Sequence, residues 1–531
     1  MSSNKESERK AKSCDVDNES QPLLSSDVSR SSILDECMLN NSDSSDFEPI
    51  LSRPTRTSSI QNKRKLPHRP YNSIEQHFSE NQTYETPSNT RSEATSKQSS
   101  VVTIFVIWNT MMGTSLLSMP WAIERAGLIT GVQLIIFMGA LCFYTSYCVL
   151  RTQKAFGSVN GEISDLARIM LGPTAQVLAK IFSWIVLLGS NIVYWILMSN
   201  FLFYSVDYIH NTFYEEINND NSSLSVDISF PVTCPKKDNL IGRIDANSGS
   251  IYEQIWGLYT TVPILLGVLI IPLLSFKSAT FFTKFNSLGT LSVLYIIVFV
   301  FIKGVSWGIN ININVPTSPF YSPWISHSFP ATTGVLALSF FIQNIIVTIM
   351  RSNKNQNNNG RDLSIAYTLV ILTYIIIGVV FFVTFPLAKT CIEDNFLNNF
   401  PSWDILTVLA RVFLFFQLFT VFPLISFMLR VQVMTTFFSS EYPSTGCVMF
   451  FNAIIVSICI IFAIFLPRIG TVIRFTGAIS GFFHVFTLPC FFQIIADKKQ
   501  NKESILSLLF HSVIPILGAI NLIAQFFVSD S

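Results

Sequence analysis

Charge is what this sequence has least of. Asp, Glu, Lys and Arg together make up 13% of its 531 residues, about half the share usual in a soluble domain, which excludes an ordinary water-soluble enzyme. The two signs nearly cancel, with 35 Lys and Arg against 34 Asp and Glu, so no basic surface argues for a nucleic-acid partner. No apolar stretch comes after Met1; a cleavable leader is therefore not expected, and the first apolar run must act as its own insertion signal. Tryptophan is missing from the first hundred residues, which hold Ser-rich runs at 23–32 and 42–49 and carry 13 Lys and Arg with 15 Asp and Glu. Such a segment cannot bury enough apolar surface to offset its chain entropy. Residues 1–100 are expected to form a disordered cytosolic tail.

The remainder of the chain is rich in apolar and aromatic residues, including most of the 47 Phe. Crossing about 30 Å of hydrocarbon takes roughly 20 apolar residues in a helix. Eleven runs qualify, at about 101–123, 127–151, 174–204, 256–276, 286–309, 330–350, 363–387, 404–429, 444–466, 470–495 and 505–528. A buried soluble helix could account for any one of them, but not for eleven in series. The expected fold is an all-α polytopic membrane protein with its body at 101–529.

Lys and Arg near span ends stay cytosolic. With the tail cytosolic, the basic residues Arg151, Lys154, Arg168, Lys277, Lys284, Arg351, Lys354, Arg361, Arg430, Lys498, Lys499 and Lys502 all fall on that side. The C-terminus then lies on the opposite face, together with an acid-rich loop at about 205–255. Asn221-Ser222-Ser223 in that loop is a glycosylation acceptor on the side the topology makes lumenal. Of nine cysteines, only Cys234 and Cys391 fall in loops on that face. An oxidising compartment favours their pairing; two free thiols are the alternative.

Span interiors contain no Asp or Glu, so the carboxylate proton relay common in ion pumps is missing. His484 is the one mid-span candidate for proton work, or else a packed polar residue. The first span differs in kind, because Asn109, Thr110, Gly113, Thr114 and Ser115 interrupt its apolar run. Backbone can unwind at membrane depth only where protein, water or ligand satisfies its polar groups. An unwound turn at Gly113 would aim N–H groups at a carboxylate and leave carbonyls for an ammonium or Na⁺, which suits an amino-acid zwitterion. A small-residue packing face is the bland alternative. An inverted repeat would put a second break in the sixth span, where Ser339, Gln343 and Asn344 are polar but no Gly or Pro marks it. In the eighth span Thr420 and Pro423 could complete an oxygen shell for sodium with Asn109; a simple proline kink remains open.

The run 107–121, with Ile107-Trp108-Asn109 at its start and Pro120-Trp121 at its end, resembles the first helix of the sodium-coupled neutral amino acid transporters of the amino acid/auxin permease group. Most members carry Asn-x-x-x-Gly-x-Gly, whereas Ser115 stands at the last position here. That departure, with the runs 193–203, 361–367 and 391–401, is similar to the family's lysosomal, arginine-sensing branch. The resemblance covers about 101–528. It implies eleven helices, in five-plus-five inverted repeats with one extra helix, that move amino acids by alternating access. It also implies a sodium ion near Asn109 and Thr420, and substrate held by Thr110, Met111, Gly113, Thr114 and Ser115. For that branch it implies arginine sensing, export of leucine and other essential amino acids, and a tail that binds Rag GTPases and Ragulator to signal to the mTOR pathway. The tail shows little of the branch's pattern beyond 69–71, His77, Phe78 and Tyr84. It does carry Glu19 four residues before Leu23-Leu24, an acidic dileucine string of the kind that routes membrane proteins to lysosomes.

Overall fold

The computed structural model describes residues 98–158, 161–218, 232–235, 252, 255–275, 289–438, 440, 442–502 and 504–528. The expected tail with Glu19, Leu23 and Leu24, and the acceptor Asn221, lie outside the described residues.

Everything described is helix or connection. The first expected span is split into α1 (Ser100–Met111) and α2 (Met119–Ala126) by a 3₁₀ turn at Thr114–Ser118, and its halves meet at 53°. Ser99 caps α1 by accepting from the Val102 N–H, and Pro120 sits in the first turn of α2, where its missing donor costs nothing. Gly127 turns the chain from α2 into α3 (Leu128–Phe156) at φ 87°; a Cβ there would lie 2.4 Å from the Pro323 carbonyl oxygen.

The short α4 (Ile163–Leu171) is started by a capping box between Glu162 and Asp165 and leads into α5 (Pro173–Asn218). The helix continues through the first fourteen residues of the segment expected to be loop from 205. The apolar pattern ends near the bilayer boundary, but helical hydrogen bonding does not have to. Then come α6 (Thr261–Leu274), α7 (Gly289–Trp307), the broken pair α8 (Phe329–Ser339) and α9 (Ile346–Arg351), and α10 (Asn359–Thr384). The chain closes with α11 (Ile405–Phe438), α12 (Thr445–Phe465), α13 (Ile469–Gly481), a π-helical turn at Phe482–Thr487, α14 (Leu488–Lys499) and α15 (Ile505–Ala524).

Among the described residues, eight helices are long and apolar enough to cross a membrane, or nine with the bent α1–α2 pair counted as one. The shorter apolar helices α6 and α8 fall in the two remaining expected runs. The protein is thus an all-helical polytopic membrane protein. Alternation of the helices puts the start of α1, α4 and the ends of α9, α11 and α14 on one side of the bundle, the α1 face, and Cys234 and Cys391 on the other.

The α1 face is tied across the chain. The Gln98 N–H donates to the Ser352 carbonyl at 2.8 Å, and the Lys354 N–H donates back to the Gln98 carbonyl at 2.8 Å. The halves of both broken pairs that reach this face are therefore bonded to each other. On the opposite face Cys234 and Cys391 form a disulfide with Cα atoms 5.1 Å apart, as the sequence led us to expect. Nearby, Lys303 of α7 pairs with Asp404 at 2.8 Å and its ammonium lies 5.2 Å from the Phe400 ring centre. Inside, α5 packs along α11, where Ser426 Oγ donates to Asn191 Oδ1 at 2.8 Å, and α8 packs along α13.

Candidate functional site

Three unwound or distorted segments meet at the middle of the bundle. At the first, the helical ladder stops when the Met112 N–H bonds the Trp108 carbonyl. Among the described residues, the amides of Gly113, Thr114 and Ser115 donate to no backbone carbonyl. At the second, residues 340–345 separate α8 from α9, a break the sequence signalled only through its polar residues. Here Gln343 does what a Gly or Pro was expected to do. Its Oε1 accepts from the Ile342 N–H at 3.0 Å and its Nε2 donates to Thr145 Oγ1 at 3.3 Å, so the released Ile342 amide is satisfied by a side chain that α3 holds in place. The third is the π turn carrying His484, whose buried ring meets Phe341 edge-on at 5.7 Å.

Between the first two breaks lies a chamber of about 100 Å³. Thr110, Met111, Gly113, Thr114 and Ser115 all line it, facing Ser190 and Tyr194 of α5, Ser339 and Asn344 at the second break, and an apolar side made by Leu187, Phe341, Ile425 and Met428. Among the described residues, the lining contains no charged side chain. Polar amides and hydroxyls at one end and an apolar wall at the other suit a zwitterion whose own side chain is buried.

The chamber continues toward the α1 face into a vestibule of about 350 Å³ that shares Thr110, Gly113, Tyr194 and Asn344 and adds Asn109, Thr348, Gln417 and Gln432. Glu162 is the one carboxylate in its lining among the described residues. Toward the disulfide face the path is shut. Ser118 Oγ donates to the Asp394 carbonyl at 2.7 Å, and Asp394 Oδ2 accepts from the Gly470 N–H at 2.8 Å.

The two expected sodium residues are not brought together alike. Asn109 lines the vestibule beside Gln417, and both amides crowd Gly289, where an added Cβ would lie 2.8 Å from Gln417 Nε2 and 3.2 Å from Asn109 Oδ1. Gln417 Oε1 is buried and accepts no hydrogen bond from the described residues. Thr420 is buried one turn further on, and its hydroxyl donates to the Gln417 carbonyl at 2.8 Å. The α11 side chain beside Asn109 is therefore Gln417 rather than Thr420, with the Gln417 amide nitrogen on the side of Gly289.

A sequence profile described as transmembrane amino acid transporter protein matches residues 96–235 and 246–529. The chain belongs to that family. Among curated proteins it is 44% identical over 454 residues to neutral amino acid transporter 9 of Xenopus tropicalis, covering 82% of this chain and 81% of that one. It is 40% identical over 457 residues to the sodium-coupled neutral amino acid transporter 9 homolog of Caenorhabditis elegans, covering 82% and 74%. Among solved structures, the crystal structure of MhsT in complex with L-phenylalanine aligns with 80% of this chain and 97% of its own, with a TM-score of 0.45 and 11% identity.

For this transporter-family member, the sequence identified the first-span residues and the polar stretch with Ser339 and Asn344, and missed Tyr194, Gln417 and Glu162. Tyr194 and Gln417 sit in apolar runs where periodicity alone reads them as core. Glu162 lies in a connection, outside the spans searched for an acid. The polar pair Gln343 and Asn344 was the signal for the second break, and its partner Thr145 is nearly two hundred residues away.

Proposed function

We propose that this protein is an amino-acid transporter working by alternating access through eleven spans in five-plus-five inverted repeats with one extra helix. The observation that carries the reading is the single chamber that collects Thr110, Met111, Gly113, Thr114 and Ser115 at a helix break, closed toward one face and continued toward the other. Substrate carboxylate would meet the amides of Gly113–Ser115, and its side chain would lie against Leu187, Phe341 and Met428. The neutral lining favours neutral amino acids such as leucine.

Sodium would be held at Asn109, with Gln417 Oε1 and the lone pairs of the Thr420 hydroxyl as further oxygens; the buried, unbonded Gln417 oxygen supports that fit. We read the membrane as lysosomal, with N-terminus cytosolic and C-terminus lumenal, the disulfide in the lumen, Asn221 glycosylated, and Glu19, Leu23 and Leu24 as the sorting signal. In the same reading the protein senses arginine, exports essential amino acids, and reports through its N-terminal tail to Rag GTPases, Ragulator and the mTOR pathway. Glu162 at the mouth of the vestibule supplies a carboxylate for a guanidinium, which the spans do not.

The test is uptake of labelled leucine and of labelled arginine by the purified full-length protein in liposomes, with and without a sodium gradient. Saturable uptake that each unlabelled amino acid inhibits is the expected result. Liposomes that take up neither amino acid under any gradient would sink the reading. The signalling part is tested by capture of purified Rag–Ragulator on the full-length protein, which arginine is expected to strengthen.

A further inference from the structure

We propose that Tyr374 is the positioning residue that holds the two helix breaks in register, through one hydroxyl shared between them. In an unbroken helix the Met111 carbonyl would accept from the residue at 115 and the Ser339 carbonyl from the residue at 343. Both helices stop short, and a carbonyl released at membrane depth is costly unless some donor can reach it. Tyr374, on α10 and fully buried, meets both. Its Oη lies 2.6 Å from the Met111 carbonyl oxygen and 3.1 Å from that of Ser339.

One hydroxyl carries one hydrogen. It donates to the closer Met111 carbonyl and keeps the Ser339 carbonyl as its alternative acceptor, so tilting either half-helix hands the proton across without exposing an unbonded donor. The phenol is steadied by Phe340, whose ring meets it edge-on at 5.3 Å. Its helix, α10, packs against α1, α2, α3 and α7 and so forms a fixed rib behind both breaks. Because Met111 and Ser339 both line the chamber, their spacing sets how the Gly113–Ser115 amides face Ser339 and Asn344.

The same helix provides a matched control. Tyr367, two turns earlier and equally buried, bonds Ser146 Oγ at 2.9 Å and the Phe340 carbonyl at 3.2 Å. It reaches the second break only. Removing either hydroxyl by Tyr→Phe leaves ring and volume in place.

The deciding experiment is amide hydrogen exchange on the purified full-length protein as wild type, Tyr374→Phe and Tyr367→Phe, read on peptides covering 111–118 and 339–346. Tyr374→Phe is expected to speed exchange in both segments, and Tyr367→Phe in 339–346 alone. The same pattern from both variants, or no change at 111–118 in Tyr374→Phe, would overturn the proposal. So would a Tyr374→Phe protein that no longer elutes folded, since that assigns the hydroxyl to stability. This arm does not depend on the transport reading, and it decides the clasp even if liposomes show no uptake. The kinetic arm does rest on that reading. Loss of one positioning hydrogen bond is expected to raise KM about tenfold in Tyr374→Phe with Vmax little changed, 3-fluorotyrosine at 374 restoring it. An equal fall in Vmax for both variants at unchanged KM counts against positioning.

Discussion

Gly477 should be the least replaceable glycine of the α8–α13 contact. A Cβ added there would lie 2.3 Å from the Gly334 carbonyl oxygen and 2.8 Å from the Leu338 amide nitrogen. Ordinary carbon-to-oxygen contacts begin near 3.3 Å, so Gly477→Ala demands that the helices separate by about 1 Å. The obstructing atoms are backbone and cannot rotate away. Overpacking of this kind costs about 1–3 kcal/mol, roughly a five- to 150-fold loss in the ratio of folded to unfolded protein. The displacement also pulls Ser339, about a turn and a half along α8 from Gly334, away from the chamber, so uptake should fall together with stability. Gly446→Ala is the control, because nothing lies within 4 Å of its added Cβ. Unfolding can be followed with a thiol-reactive dye, since Cys142, Cys148, Cys459 and Cys490 are free and buried. A fall of several degrees in the melting midpoint is expected for Gly477→Ala and none for Gly446→Ala. Equal midpoints and equal uptake in the two variants would refute the close-packing argument.

Thr114→Trp puts an indole into the chamber at a residue only 8% exposed and is expected to abolish leucine uptake while the protein still elutes folded; wild-type uptake would move the site elsewhere. Lys389 lies outside the spans with its ammonium against the Phe382 and Phe385 carbonyls at 2.6 and 3.1 Å, and burial pulls its pKa from 10.5 down to about 7. The folded state then binds this proton more weakly than the unfolded chain, so stability gains with pH between those two values and the full burden of the buried charge is carried below pH 7. Lys389→Met should therefore compare more favourably with wild type in melting midpoint at pH 5 than at pH 9, whatever constant loss the two carbonyls add; a difference independent of pH would contradict the assignment. The Cys234–Cys391 bridge spans 157 residues, and a disulfide typically stabilises by about 2–4 kcal/mol. Reductant should lower the melting midpoint of the wild type and leave that of the Cys234→Ser, Cys391→Ser double variant unchanged.

Much of this protein was legible in its sequence because the bilayer imposes local rules. A helix that crosses hydrocarbon needs its own run of apolar residues, so the run positions could be read off the chain. The same rule makes Asn109, Thr110 and Gly113 conspicuous within an apolar run, and the five residues 110, 111 and 113–115 do share one chamber. Cys234 and Cys391 could be paired because topology left only those two on one face. The second break was faint for the opposite reason. Its released backbone is satisfied by Gln343, whose polarity is the one local sign of the break, and by Tyr367 and Tyr374, which lie on another helix and give no sign within the segment. Gln417, Tyr194 and Glu162 likewise join the vestibule only because distant helices bring them there. Apolar length and local polarity are properties of neighbours along the chain and are fixed by the sequence itself. Hydrogen bonds that stand in for a broken helix come from whatever packs alongside it, and only the tertiary structure decides what that is.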